Sequence, residues 1–182
     1  TSLVTDIGGV FSACNSLTKI DISKWDLSNV VSTSSTFDGC SNLTEVSMSS
    51  NTPKLKDMRR MFVNCTSLID APPLNTSNVQ DFGGNDLGVF QNCINLVNVP
   101  IYDFFISIET TRMFYNCQKL QYIKIANCSS TIYAYNDGYI NGCTFFQCPS
   151  LLKIEGINLE GLDYTKAYKG ADISLNSRIV SD

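Results

Sequence analysis

Eight cysteines are the residues best able to do chemistry in this 182-residue sequence, which contains no histidine. A cysteine can bridge, bind metal or act as a nucleophile, and its neighbours and spacing indicate which. Six of them, Cys14, Cys40, Cys65, Cys93, Cys117 and Cys148, each follow a phenylalanine by three residues. Recurrence in one register predicts a buried column, in which an unpaired cysteine behaves as a small hydrophobic residue. Alternating bridges would distort such a ladder. Metal binding needs a local cluster such as Cys-x-x-Cys, and none occurs. The expectation is therefore six structural thiols, with no metal and no cofactor. Cys128 and Cys143 fall outside the register, and two readings stay open for them. They close a 16-residue loop as a disulfide in an oxidising compartment, or they remain two unpaired thiols.

The rest of the catalytic inventory is thin. Without histidine, acid–base work falls to carboxylates, lysine or tyrosine, and spacing singles out no pair. There is no Gly-rich phosphate loop and no Gly-x-Ser-x-Gly elbow, and Gly83-Gly84 sits in a loop. The expectation is a protein that is not an enzyme. A net charge of −4 argues against nucleic acid as a partner. A hydrophobic fraction of 43% excludes a disordered chain. No apolar run is long enough for a membrane-spanning helix. The residues after Thr1 do not read as a signal peptide, which leaves the compartment open.

The elements that position the cysteines follow from their repeat. Phe-x-x-Cys-x-x-Leu, with Ile, Val or Ala three residues on, appears as Phe11/Cys14/Leu17/Ile20, Phe37/Cys40/Leu43/Val46 and Phe62/Cys65/Leu68/Ala71. It returns as Phe90/Cys93/Leu96/Val99, Phe114/Cys117/Leu120/Ile123 and Phe145/Cys148/Leu151/Ile154. The Phe-to-Phe intervals are 26, 25, 28, 24 and 31 residues. A further apolar residue two positions on (Ile22, Met48, Ile101, Ile125) gives the alternation of a half-buried strand. Ala71-Pro72-Pro73-Leu74 breaks it in the third repeat, and Gly156 replaces its last residue in the sixth, so those two strands should be short or irregular. The fold class this predicts is α/β: a leucine-rich-repeat solenoid of about six turns, with a parallel sheet on the concave face and short helical or irregular convex segments.

Between strands the chain must return on the opposite face. Lys54 to Phe62 places Leu55, Met58 and Phe62 on one helical face, which predicts a short helix there. Elsewhere the returns are rich in Ser, Thr and Gly and favour turns. Residues 1–157 read as the repeat domain, and 158–182 as a C-terminal cap or decayed repeat that keeps Leu159, Leu162, Ile173, Leu175 and Ile179. Only ten residues precede Phe11, so the expectation is that the chain is a fragment, or that its first turn meets a partner or another domain.

The repeat resembles that of BspA-like leucine-rich-repeat proteins of bacterial surfaces. Trp25-Asp26-Leu27-Ser28-Asn29-Val30 ahead of Phe37, and Thr76-Ser77-Asn78-Val79, resemble the Ser-Asn-Val that opens each unit of the subgroup with 25-residue repeats. Met61-Phe62 and Met113-Phe114 resemble its Met-Phe pair. The resemblance covers roughly Val10 to Ile157 and implies adhesion or recognition at cell or virion surfaces. The longer intervals before Phe90 and Phe145 and the Pro pair depart from it.

Two surfaces are candidates for such a role. The first is the outward row of the sheet: Lys19 and Asp21, Glu45 and Ser47, Asp70, Asn98, Tyr122 and Lys124, Lys153 and Glu155. The second is the insertion bearing Tyr133, Tyr135 and Tyr139 around Asn136-Asp137-Gly138. Tyrosines there offer amphipathic contact area at low entropic cost. The bland alternatives are a solvated face and tyrosines packed back on the repeats. Sequons begin at Asn42, Asn64, Asn75 and Asn127, as expected in so Asn-rich a chain. The leading expectation is a non-catalytic recognition or adhesion module outside the cell or at the cell surface, binding protein or glycan. The alternative is a structural or decorating protein of a bacteriophage particle, located in the virion. An intracellular scaffold is a third possibility.

Overall fold

The computed structural model describes residues 3–83, 87–100, 102–103, 112–126, 148–151 and 153–155. Five short strands appear in chain order: β1 (Lys19–Ile22), β2 (Glu45–Met48), β3 (Tyr102–Asp103), β4 (Tyr122–Ala126) and β5 (Lys153–Glu155). Their pairing is parallel throughout, as a one-strand-per-repeat chain requires. In β1 and β2 equivalent residues face each other: Lys19 with Glu45, Ile20 with Val46, Asp21 with Ser47 and Ile22 with Met48. Ile22, Val46 and Met48 are buried and Lys19, Asp21 and Glu45 exposed, which is the expected period-two alternation.

The third repeat interrupts the sheet. Among the described residues it contributes no strand, only a one-residue bridge from Asp70 to Asn98. The sheet is thereby divided into β1-β2 and β3-β4-β5. Pro72 and Pro73 have no N–H to offer a ladder. Side chains take over the bonding. The Thr52 hydroxyl accepts from the Asn75 N–H at 3.0 Å and donates to the Asn75 carbonyl at 3.3 Å. The Tyr102 hydroxyl donates to the Pro72 carbonyl at 2.9 Å.

On the opposite side the chain is not helical. The helix expected over 54–62 is absent, and no helix occurs among the described residues. Leu55, Met58 and Phe62 are buried as a helical face would make them, but in successive tight turns. Arg60 has φ of 60°, a left-handed conformation that ends a right-handed helix. The Lys56 N–H donates to the Val31 carbonyl and the Met58 N–H to that of Asp81, both in neighbouring repeats. Single parallel bridges join Asp6 to Ser32, Ser32 to Asp57 and Asp57 to Asp81. The segments opposite the strands are thus irregular, tied laterally from one repeat to the next.

Two registers of left-handed residues make these turns. One precedes each cysteine: Ala13 (φ 58°), Gly39 (79°), Asn64 (59°), Asn92 (63°) and Asn116 (60°). Asparagine tolerates that conformation better than most residues. The other lies two residues before a phenylalanine, at Ser35, Arg60 and Arg112. Between the two sides runs an aromatic column. Phe11, Phe37, Phe62, Phe90 and Phe114 lie ring against ring at centroid distances of 5.4, 5.3, 5.5 and 5.5 Å, nearly parallel. Parallel rings at that separation must be offset, the favourable arrangement for aromatic quadrupoles. Tyr102 enters alongside, its centroid 6.3 Å from Phe82 and 6.3 Å from Phe90.

Two mutational outcomes follow from this packing. Leu96 and Phe114 are buried to within 1% of full exclusion. Truncating either to Ala should leave a cavity costing about 2–5 kcal/mol, read from chemical denaturation followed by circular dichroism. Wild-type-like unfolding of both variants would refute repeat stacking as the source of stability. Separately, a Cβ at Gly88 would lie 2.2 Å from the backbone carbonyl of Arg112. Gly88→Ala should therefore lower the melting temperature clearly, an overpacking cost of about 1–3 kcal/mol. An unchanged melting temperature would show that the two repeats are not held that close.

Candidate functional site

The six cysteines in register were the first candidates for chemistry, and the fold uses five of them for structure. Each thiol reaches back to the phenylalanine carbonyl of the preceding repeat. Cys40 donates to Phe11 at 2.9 Å, Cys65 to Phe37 at 3.1 Å, Cys93 to Phe62 at 3.0 Å, Cys117 to Phe90 at 3.2 Å and Cys148 to Phe114 at 2.9 Å. That carbonyl also accepts the backbone N–H of the cysteine three residues on, at 3.0–3.2 Å, closing the turn. All five thiols are fully buried. Burial disfavours the thiolate, pushing the pKa of Cys148 up to about 12 and those of Cys40, Cys65, Cys93 and Cys117 up as well. A thiol held in its protonated form is neither a nucleophile nor a metal ligand.

Cys14 departs from the expectation of six buried thiols: it is exposed. Among the described residues no carbonyl takes the Cys14 thiol. Cys128 and Cys143, and the tyrosines Tyr133, Tyr135 and Tyr139, lie outside the described residues, as do Phe145 and the tail 158–182.

The outward row of the sheet is displayed as the alternation predicts. Lys19, Asp21, Glu45, Asp70, Asn98, Tyr122 and Lys124 are exposed, and Ser47 is half-buried. Lys153 and Glu155 stand in β5 opposite Tyr122 and Lys124. Strand register makes neighbours of residues far apart in sequence. The Lys19 ammonium meets the Glu45 carboxylate at 2.8 Å, which raises the pKa of Lys19. Both side chains remain largely in water, so the pair orients more than it stabilises. Asp21 is bound within its own turn, accepting the Ser23 N–H at 2.9 Å, and hydrogen bonding from Ser23 lowers its pKa. The Asn98 amide donates to the Asp70 carboxylate at 2.5 Å. Tyr122 keeps 41% of its surface exposed.

A second polar row lies at the left-handed register, where the sequence reading did not look. Asn92 donates through Nδ2 to Asn64 Oδ1 at 2.9 Å, Asn116 to Asn92 at 3.0 Å, and Gln118 to Asn116 at 3.0 Å. The signal was available: the residue before each cysteine is Ala, Gly or Asn in the first five repeats. The asparagines of the two Ser-Asn-Val stretches are likewise bound to the neighbouring repeat. Asn29 Oδ1 accepts from Lys54 Nζ at 2.6 Å, and Asn78 Nδ2 donates to the Pro53 carbonyl at 2.8 Å. Among the described residues no set of three or more metal-ligating side chains comes together. No helix there is long and apolar enough to cross a membrane.

Comparison with known families agrees with this geometry. A family described as a Mycoplasma protein of unknown function, DUF285, matches residues 1–96. The BspA type leucine rich repeat region matches residues 76–161. The chain belongs to the DUF285 family, and its repeats are BspA-type leucine-rich repeats. A crystal structure of a leucine-rich repeat protein from T. pallidum is similar, with a TM-score of 0.53 and 19% identity over 85% of this chain. The match covers 64% of the T. pallidum chain, so this chain spans less than two thirds of that protein's length. At that identity the likeness is one of fold. No curated protein matches the sequence. In the first, second and fifth repeats the Phe-x-x-Cys half makes the interior turn and the Leu-x-x-Ile/Val-x-Ile/Met half makes the displayed strand, whereas the fourth repeat's strand falls one place later, at Tyr102–Asp103.

The thiol ladder predicts selective reactivity. Iodoacetamide added to the folded protein at pH 8 should alkylate Cys14 and spare Cys40, Cys65, Cys93, Cys117 and Cys148, which react only after denaturation. Peptide mass spectrometry reads this directly, and rapid native labelling of Cys93 or Cys117 would contradict the buried ladder.

Proposed function

We propose that this chain is a non-catalytic recognition module, a BspA-type solenoid of about six turns displayed at a bacterial cell surface. It binds a protein or glycan through the concave sheet face formed by Lys19, Asp21, Glu45, Ser47, Asp70, Asn98, Tyr122, Lys124, Lys153 and Glu155. The Tyr133/Tyr135/Tyr139 insertion is a second contact in this reading, residues 158–182 a cap, and the N-terminal end a place for a partner or further domain. The observation that carries it is the division of labour between the two sides of the strands. The interior consumes the reactive side chains in hydrogen bonds and packing, while the outward row sets polar side chains and Tyr122 in parallel register on strands that the core holds rigid. Rigid display of varied outward residues suits recognition, since little ordering entropy remains to be lost on binding. Neither the family match nor the geometry favours the bacteriophage alternative.

The test is binding of fluorescently labelled protein to bacterial cells, host cells and immobilised matrix proteins, beside a Tyr122→Ala/Lys124→Glu double variant. Saturable binding that the variant weakens about tenfold or more is expected, a loss of the order of one interface anchor. Equal binding by the variant would remove the sheet face from the proposal, and concentration-dependent self-assembly with no surface binding would overturn recognition itself.

A further inference from the structure

The first repeat uses the residue types of the second, yet the two are buried differently. Phe37, Leu43 and Val46 are buried, whereas their counterparts Phe11, Leu17 and Ile20 are half-buried, and Cys14 is exposed where Cys40 is not. These residues flank the open side of β1. The Thr18 carbonyl accepts the Thr44 N–H at 2.8 Å, so Thr18, Ile20 and Ile22 turn their backbone groups towards β2. Lys19 and Asp21 therefore turn theirs the other way, where no strand lies among the described residues. An unpaired strand edge beside half-buried apolar side chains is a template for another strand. The residues of the edge decide which strand fits. Lys19 and Asp21 carry opposite charges and are exposed on one face, with Ile20 between them on the other. Run antiparallel against itself about Ile20, the strand sets Lys19 of one copy opposite Asp21 of the other. The residues that meet are those whose N–H and C=O face the open side, as a hydrogen-bonded antiparallel pair requires. In-register parallel pairing would instead oppose like charges.

Resting on the part of the reading above that gives the N-terminal end a partner, we propose that this partner is a second copy of the chain, joined through β1 about a twofold axis at Ile20. Lys19 then lies between Glu45 of its own sheet, at 2.8 Å, and Asp21 of the second copy. The half-buried Ile20 of each copy meets the other on the inward face and loses water there. A twofold contact of this kind uses the same edge on both copies, so it closes as a dimer and does not grow into a fibre. The two outward rows become one continuous face, which presents every binding position twice and raises avidity for a ligand repeated on a surface.

Sedimentation velocity of the 182-residue chain over a concentration series tests this. A discrete species of twice the 20.1 kDa chain mass, dissociating on dilution, is expected. Asp21→Lys and Lys19→Asp each set like charges across the axis and should weaken the dimer about tenfold or more. Mixed in equal amounts, the two variants restore a lysine opposite an aspartate at both places and should pair as wild type does. Lys119→Asp, the same charge change at an exposed residue of the fifth repeat, should leave association unchanged. Melting curves matching wild type establish that each variant is folded. A chain that stays monomeric throughout overturns the proposal, and so does growth past the dimer. Self-association that both single variants leave intact, or a mixture no tighter than its parts, also overturns it. Saturable surface binding by a monomeric chain would remove the dimer alone and leave the recognition reading in place.

Discussion

A single carbonyl oxygen per repeat organises this molecule. The phenylalanine carbonyl accepts the N–H of the cysteine three residues later, which closes its own turn, and the thiol of the next cysteine, which locks the neighbouring turn onto it. A carbonyl has two lone pairs, and both are used in a setting where an unmade bond would be costly. The thiol itself is a weak donor. Its value is that it combines a hydrophobic body with enough polarity to satisfy the second lone pair. Alanine would leave that lone pair empty, and serine would bring a more costly hydroxyl into the interior. The same geometry sets each phenylalanine ring over the last, so the aromatic column and the thiol ladder are two consequences of one repeat interval.

Where the interval or the chemistry departs from the rule, the structure substitutes other groups. The Pro72-Pro73 pair cannot donate, and there the sheet divides. Thr52 joins the second and third repeats by accepting and donating through one hydroxyl, and Tyr102 brings its own hydroxyl to the Pro72 carbonyl. Burial pushes the pKa of Tyr102 up, which keeps that donor protonated. The interruption is therefore confined to the strand side. On the side opposite the strands the bridges through Ser32, Asp57 and Asp81 run past the prolines unbroken. Stacked repeats contact only their neighbours, so a local defect needs only a local repair.

The parts of this arrangement that could be read from the sequence are those fixed by side-chain type at constant spacing. The phenylalanine, cysteine and leucine registers, the strand alternation at Lys19–Ile22 and Glu45–Met48, and the break at the prolines all have that character. The convex segment over 54–62 misled because Leu55, Met58 and Phe62 match a helical stripe while burying themselves by another route. A period of 3.6 is not distinguished from tight turns in so short a window. Nothing in the side chain of Arg60 announces a left-handed conformation, whereas Asn64, Asn92 and Asn116 do. Cys14 misled for another reason: it shares the spacing of the five buried cysteines yet is exposed, and residue type and spacing alone do not distinguish the two. The outward row was legible as a list of positions. Its pairings were not, since Lys19 with Glu45 and Asp70 with Asn98 depend on a register between residues 26 and 28 positions apart.

That separation of roles bears on how such a protein acquires a ligand. Inward positions answer to each other through one continuous column, so a change at one is felt as a cavity or a clash in the next repeat. Outward positions answer only to the strand beside them and to solvent. Replacing Asp70, Asn98 or Tyr122 removes no atom from the core, because each points away from it. The same backbone can therefore carry different surfaces at little cost to folding. On this chain the row begins with the matched charges of Lys19 and Glu45 at β1-β2 and continues to the exposed Asp70–Asn98 pair and Tyr122.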